Sequence, residues 1–272
     1  MKKSIVQGFF QGAALEDVFK RLEAAGYDGL QLTMKATGSD GEVNLEMSKS
    51  EVRRIRKAAK GRGLRLHSIM PQTGTRLGAP TADERRHAVE NFMKMLELAK
   101  GFGCENILVH PGHIDADIPY DAFYRWVVGG LKKLAPYARK AGIPLLLENV
   151  WNRFMYSPLE AKRILAEVGS RSVGIYLDVG NLIPFGWPEQ WIRILGRRIG
   201  EVHIKDFRRR AMNSFGFVYP LMGDVDWRAV MRELRRVKYV GWLCAEYGPY
   251  PQFAEKALRD ISTSIDAIMA VK

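Results

Sequence analysis

Cysteine is scarce in this sequence. Cys104 and Cys244 are the only two among 272 residues, too few for a disulfide framework, and both lie in apolar context that reads as reduced core. No apolar run approaches the roughly 20 residues that a membrane-spanning helix needs. The start, Met1-Lys2-Lys3-Ser4, turns polar too early for a signal peptide, so a cytoplasmic protein is expected. No G-x-G-x-x-G follows the first strand-like run and no Walker-type loop occurs, which removes the usual cradles for dinucleotides and nucleoside triphosphates. Neither a Pro/Ser-rich linker nor a low-complexity segment divides the chain, and residues 1–272 are expected to form one domain. Acid is in deficit: 30 Asp and Glu face 42 Lys and Arg, a net charge of +12. The basic residues are scattered over segments on different sides of the expected fold (Arg53 to Lys60, Lys132 to Lys140, Arg235 to Lys238), as on a solvated helix surface, although such a charge also attracts anionic substrates.

What is present is alternation. Eight short apolar runs recur: Ser4–Phe10, Gly29–Met34, Leu64–Met70, Glu105–His110, Pro144–Glu148, Val173–Asp178, Val202–Lys205 and Trp242–Glu246. Their length and their content of leucine and β-branched residues suit buried parallel strands. Amphipathic segments separate them: Leu15–Ala25, Lys49–Arg62, Asp83–Phe102, Tyr120–Lys140, Leu159–Val168, Pro188–Gly196, Trp227–Arg236 and Pro251–Met269. Glycine after several of these (Gly26, Gly63, Gly103, Gly142, Gly241) suits a left-handed helix cap. Eight right-handed strand–helix units close into a single (β/α)8 TIM barrel, for which about 250 residues is a typical length. A doubly wound sheet shares the alternation but lacks its phosphate fingerprint here.

In a barrel the C-terminal strand ends face the active site. Strands five to eight end in or carry Glu148, Asp178, His203 and Glu246. One carboxylate after a strand is commonly a loop residue, a helix cap or half of an ion pair. Three at one mouth repel and perturb one another unless a cation neutralises them, and with one imidazole they make an oxygen-rich set suited to a divalent metal with open water positions. Mn²⁺ is expected first, with Co²⁺ or Mg²⁺ as alternatives. His67, placed by the pattern at the end of strand three, and His110, in His110-Pro111-Gly112-His113, are read as facing the same mouth. Substrate hydrogen bonding, further metal ligation and a structural role stay open for both. His87 reads as surface.

These strand ends resemble the sugar isomerase/epimerase superfamily with the xylose-isomerase-like barrel, most closely its D-tagatose 3-epimerase and sugar-phosphate epimerase branch. The resemblance spans the whole chain. It is carried by Leu147-Glu148-Asn149, Leu177-Asp178-Val179-Gly180-Asn181, Val202-His203-Ile204-Lys205-Asp206, Gly223-Asp224-Val225-Asp226-Trp227 and Ala245-Glu246, with Asn152-Arg153-Phe154 similar to a motif after strand five in ketose 3-epimerases. It implies metal ligation by Glu148, Asp178, His203 and Glu246, with the two glutamates as an acid/base pair on opposite faces of a ketose. It implies a metal-dependent 3-epimerase that deprotonates and reprotonates C3 through a metal-stabilised enediolate. It implies substrate gripping by Arg209, flanked by Arg208 and Arg210. His110 or His67 would meet substrate oxygens, Lys205 or Asp206 would orient the groups around them, and Phe9, Trp151, Phe154, Trp187 and Tyr247 would wall the sugar unless they simply pack the rim. Two departures touch the substrate pocket: Asn181 stands where the epimerases often carry histidine, and Met155 where they carry glutamate.

The alternatives are a sugar-phosphate epimerase or aldose–ketose isomerase, then an inosose-type dehydratase, and last an endonuclease IV-like abasic-site nuclease. Against the nuclease, no Asp-x-His pair follows His203, and nucleic acid is not an expected partner. The resemblance implies a dimer or tetramer, for which the Ile183–Trp187 loop and an exposed Trp191 are candidate contacts. No membrane association is expected.

Overall fold

The computed structural model describes residues 1–38 and 42–272. The barrel strands are β1 (Lys2–Val6), β2 (Gly29–Met34), β3 (Arg65–Pro71), β4 (Asn106–Val109), β5 (Leu145–Glu148), β6 (Val173–Asp178) and β7 (Ile199–Ile204). A two-stranded ribbon, β8 (Asp206–Phe207) and β9 (Phe217–Val218), follows, and β10 (Trp242–Ala245) completes the set. The parallel order β1-β10-β7-β6-β5-β4-β3-β2 closes on itself, and no edge remains to be capped in the barrel. Helices α1 (Leu15–Ala24), α2 (Lys49–Lys60), α3 (Ala82–Phe102), α4 (Tyr120–Ala141), α5 (Pro158–Val168), the single turn α6 (Val179–Leu182), α7 (Pro188–Leu195), α8 (Trp227–Arg236) and α9 (Ala254–Ala270) fill the connections. The expected TIM barrel is the fold found.

Local chemistry explains the boundaries. Ser48 and Glu51 form a reciprocal capping box at the start of α2, and Thr81 caps α3. Helix α8 buries Trp227, Val230, Met231 and Leu234, the spacing of one helical face turned to the barrel. Gly103 and Gly142 end α3 and α4 with φ of 80° and 71°, where a Cβ would be strained. The expected cap at Gly241 is not one: the left-handed residue after α8 is Lys238, at φ 60°. The first strand is also earlier and shorter than the apolar run suggests. It ends at Val6, and residues 7–10 turn in a 3₁₀ helix that buries Phe9 and Phe10, so the apolar character of that segment belongs to two different elements. Trp191, expected at the surface, is only 3% exposed, because on α7 it shares the inward face with Pro188, Ile192 and Leu195.

The main core is a layer between barrel and helices, with Leu22, Leu30, Phe92, Phe123, Ile164, Leu234 and Ile265 among its fully buried members, and Leu108, Leu146 and Tyr176 form a second buried cluster. Each such side chain contributes roughly 1.5–3 kcal/mol by leaving water. Cys104 and Cys244 are free and buried. Among the described residues no helix is long and apolar enough to cross a membrane.

Candidate metal centre

Four strand ends converge at one end of the barrel. Glu148 closes β5, Asp178 closes β6, His203 lies one residue from the end of β7, and Glu246 directly follows β10. Pairing of β6 with β7 sets Asp178 directly beside His203. One ligand atom from each of the four residues lies within 4.8 Å of all the others. His203 turns Nδ1 to this point, 2.9 Å from Glu148 Oε1, 3.6 Å from Glu246 Oε2 and 3.8 Å from Asp178 Oδ2. The Leu147-Glu148-Asn149 and Asp178-Val179-Gly180-Asn181 segments brace each other. Asn149 accepts from the Asp178 N–H at 2.9 Å and donates to the Asp178 carbonyl at 2.8 Å. Asp178 Oδ1 caps α6 by accepting from the Asn181 N–H at 2.8 Å, and the Asn181 amide donates to the Asn149 carbonyl.

Lys205, the residue after β7, enters this set. Its ammonium lies 2.8 Å from Asp178 Oδ2 and is bonded to Glu246 Oε2, with 13% of the side chain exposed. The lysine stem passes against Gly180, where a Cβ would come 2.6 Å from Lys205 Cγ and 2.9 Å from its carbonyl. The glycine of the Asp-Val-Gly-Asn segment is therefore a steric requirement. Charge is distributed unevenly over the cluster. Burial, together with Glu246 and Glu148 and against Lys205, raises the Asp178 carboxyl to about 7. Burial also opposes ionisation of Glu246, but Lys205 and His203 outweigh it and hold that carboxyl at about 2. Burial disfavours the His203 cation, yet the surrounding carboxylates raise its pKa well above the ordinary value.

This donor set fits a divalent cation. With all three carboxyls ionised and His203 neutral, one lysine leaves two negative charges uncompensated, the charge a dication supplies. Asp178 Oδ2 is fully buried and pairs with the Lys205 ammonium but accepts no well-directed hydrogen bond, which leaves it capacity for a cation. Three hard oxygens and one nitrogen suit Mn²⁺, Mg²⁺, Co²⁺ or Zn²⁺ and do not choose among them.

Residues 19–267 match the family model described as xylose isomerase-like TIM barrel. This chain belongs to that family. A curated relative, 2-oxo-tetronate isomerase of Pectobacterium atrosepticum, is 26% identical over 174 residues, which are 61% of this chain and 62% of the isomerase; the match thus spans about three fifths of the relative's length. Solved structures of the same shape include D-psicose 3-epimerase in the presence of D-fructose (21% identical, TM-score 0.80, 100% of this chain and 99% of that one). Another is 3-keto-D-glucoside 4-epimerase from E. coli (18%, TM-score 0.80, 98% of both chains). A third is an IolI protein with a bound zinc atom (17%, TM-score 0.82, 99% and 98%). At these identities the likeness establishes the fold.

The remaining expected residues of this xylose isomerase-like barrel scatter. His110 is half-buried just beyond β4; burial lowers its pKa, while Glu148 and Glu246 act on it in the opposite sense, and its Nδ1 accepts from the Gly112 N–H at 3.3 Å. His67 is not at a strand end. It is the third residue of β3, fully buried, stacked on Trp242 with ring centroids 4.3 Å apart and facing Glu201 Oε1 at 2.7 Å. His67 lies four residues before the end of β3 at Pro71, inside the Leu64–Met70 apolar run rather than at its end, and it therefore sits deep in the barrel rather than at its mouth. Phe9 is 1% exposed and edge-on to Phe10, and Phe154 is buried against Tyr120, Phe123 and Tyr124; neither presents a face to a ligand. Trp151 donates its indole N–H to the Asn181 carbonyl and packs on Phe185, Phe207 and Phe217. Asn181 is 5% exposed with its amide nitrogen committed to the brace described above. His87 is exposed, as expected.

Arg209 is exposed, donates to the Ile183 carbonyl at 3.2 Å and lies over the Trp187 ring at 5.4 Å. It lines a rim cavity of about 580 Å³ with Ile183, Trp187, Asp224 and Asp226. Glu148, Asp178, His203 and Glu246 do not line that cavity. Asp206 is no neighbour of the cluster either. Its carboxylate organises the long loop after β7, accepting from the N–H groups of Phe207, Leu221 and Val225 and from the Trp227 indole. A Cβ at Gly223 would come 2.2 Å from Asp206 Oδ1. The Gly-Asp-Val-Asp-Trp motif is thus a loop anchor, with Asp226 capping α8. Two polar residues escaped the sequence reading: Gln31, inside the apolar run of β2, and Glu201, two residues before His203 on β7. Both interrupt otherwise buried strands, and that interruption was the available signal.

Proposed function

We propose that this chain is a divalent-metal-dependent epimerase or isomerase of ketose-type sugars, best described as a ketose 3-epimerase. The observation that carries the reading is the convergence of Glu148 and Glu246 on the point shared with Asp178 and His203. The strand order β10-β7-β6-β5 sets the two glutamates on the outer flanks and the Asp178–His203 pair between them. Epimerisation beside a carbonyl needs a base on one side of the carbon and an acid on the other, and two flanking carboxylates supply both.

A dication held by Glu148, Asp178, His203 and Glu246 supplies Lewis acidity toward the carbonyl and neighbouring hydroxyl oxygens; Mn²⁺ is our first choice. The chain does the rest. Lys205 keeps Glu246 ionised and ready to take a proton at its carboxylate oxygen. Burial of Glu148, 6% exposed, limits water at the second carboxylate. His110 offers a neutral ring just beyond β4, and Arg209 offers a cation at the rim. A small-molecule sugar is the substrate class, and a dimer or tetramer is the assembly proposed.

One observation favours a second reading. The curated relative is named an isomerase of 2-oxo-tetronate, and proton transfer between neighbouring carbons would use the same two glutamates.

The test strips metal with chelator, restores Mn²⁺ or Co²⁺, and follows ketohexoses, ketopentoses and 2-oxo sugar acids in deuterated water by NMR. Deuterium uptake at C3 with formation of the C3 epimer, abolished in Glu148→Gln and Glu246→Gln, supports the epimerase. Exchange at C1 of a ketose with formation of the aldose, or loss of the C3 proton of a 2-oxo acid with transfer of its carbonyl to C3 and deuterium delivered to C2, moves the assignment to isomerase. Absence of exchange with all of these, in protein shown to hold metal, refutes both.

A further inference from the structure

Behind the metal centre a hydrogen-bond chain runs through the barrel interior, and its direction can be read from its far end. Glu201 is fully buried on β7, and the Asn106 amide turns its NH₂ group to donate to Glu201 Oε2. That leaves Asn106 Oδ1 to accept from the Ser68 hydroxyl, at 2.7 Å. With its proton spent there, Ser68 Oγ accepts from Gln31 Nε2 at 3.2 Å. The same Gln31 nitrogen donates to the Tyr176 hydroxyl at 2.8 Å. The chain from Glu201 through Asn106 and Ser68 requires the Gln31 NH₂ to face inward. Gln31 Oε1 is thereby left facing His203 Nε2, 3.0 Å away. An amide oxygen accepts, and the proton between them belongs to His203 Nε2.

We propose that Gln31 is a positioning residue that fixes His203 as the Nε2–H tautomer, and that buried Glu201 sets the direction of the hydrogen-bond chain that holds Gln31 in this role. The consequence is chemical. His203 Nδ1, the nitrogen facing Glu148, Asp178 and Glu246, keeps its lone pair for a metal. Ligating histidines commonly depend on such a partner for their other ring nitrogen, and losing it costs 10–100-fold in metal affinity. Gln31, Ser68, Tyr176, Glu201 and His203 are fully buried and Asn106 is 3% exposed, so water cannot substitute for a missing link. The inference rests on the four residues being a metal centre and is independent of the sugar chemistry.

Two measurements test it. In intact protein labelled with ¹⁵N-histidine and loaded with diamagnetic Mg²⁺ or Zn²⁺, His203 is expected to show a slowly exchanging Nε2–H and an unprotonated Nδ1. A proton on Nδ1, with Nε2 bare, overturns the proposal without any variant. In Gln31→Met, Mn²⁺ affinity by calorimetry is expected to fall 10–100-fold and the protected Nε2–H signal to disappear. A purely structural role would lower the melting temperature but leave both readouts in place, and that result overturns the proposal. Wild-type protein that binds neither Mn²⁺, Mg²⁺ nor Zn²⁺ would instead remove the metal centre itself, an outcome distinct from a variant that binds as well as wild type.

Discussion

Replacing Lys205 with methionine tests whether the lysine is an electrostatic member of the metal centre. Methionine keeps the length and most of the packing against Gly180 and removes only the charge. In the wild-type chain the ammonium serves two carboxylates at once, Asp178 at 2.8 Å and Glu246, with the lysine 13% exposed, Asp178 fully buried and Glu246 28% exposed. Removing one partner of a buried pair costs about 3–5 kcal/mol because a charge is left uncompensated. A domain of this size loses about 2 °C of melting temperature per kcal/mol, so the chelator-treated variant should melt about 6–10 °C below wild type. Metal should reverse most of that, because a dication restores the missing positive charge at the same oxygens. The gap between metal-free and metal-loaded melting temperatures is therefore expected to be wider in the variant, and Mn²⁺ affinity by calorimetry to be tighter by about tenfold for every 1.4 kcal/mol of the deficit that metal recovers. Equal melting temperatures of the two metal-free proteins, or weaker Mn²⁺ binding by the variant, would refute the reasoning.

Metal affinity should also depend on pH. In the metal-free cluster Asp178 is raised to about 7 and His203 well above its ordinary value, and a bound dication requires the first ionised and the second neutral, so affinity should fall as pH drops, by up to tenfold per unit for the His203 proton and more steeply below 7, where Asp178 adds a second; calorimetry in buffers of different ionisation enthalpy would count the protons released. His67 gives the opposite sign for stability. Burial opposes its charge, but Glu201 raises its pKa to about 9. Its contribution is full below the unfolded value near 6.5 and is lost as pH rises through 9, about 3 kcal/mol at most; urea midpoints at pH 6, 8 and 10 should show this slope in wild type and a smaller one in His67→Gln. Gly180→Ala would force a Cβ to 2.6 Å from Lys205 Cγ and 2.9 Å from its backbone oxygen, so stability should fall by about 1–3 kcal/mol and Mn²⁺ binding should weaken with it. Gly223→Ala, with its Cβ 2.2 Å from Asp206 Oδ1, should cost at least as much while leaving Mn²⁺ affinity near wild type, because Asp206 anchors the loop and not the ligands.

The sequence made the barrel and its centre legible for one reason. Apolar runs such as Leu145–Leu147 and Val173–Leu177 end abruptly in Glu148 and Asp178, and hydrophobic periodicity locates strand ends where burial stops. His110 could be placed at the mouth in the same way. His67 could not, because β3 stays buried through Pro71 and the polar residue inside it satisfies Glu201, a partner 134 residues away. Phe9, Phe154 and Trp191 look alike in sequence, whether they wall a ligand, face solvent or fill a core; only the packing of the neighbouring elements distinguishes these. Arg209 entered only through the family resemblance, and its rim position over Trp187 depends on the loop that Asp206 organises.

By itself, then, the sequence determined the alternation of strands and helices, the closure of eight units into a barrel, and the four residues that end adjacent strands at its centre, because period, length and strand-end polarity are local properties of the chain. Only the tertiary structure decided that Lys205 enters the ligand set past Gly180, that Asp206 turns away to hold a loop, and that Gln31, Ser68, Asn106, Tyr176 and Glu201 join behind His203. Those facts depend on hydrogen-bond direction and close approach between residues far apart in the chain, and neither is encoded in any single segment.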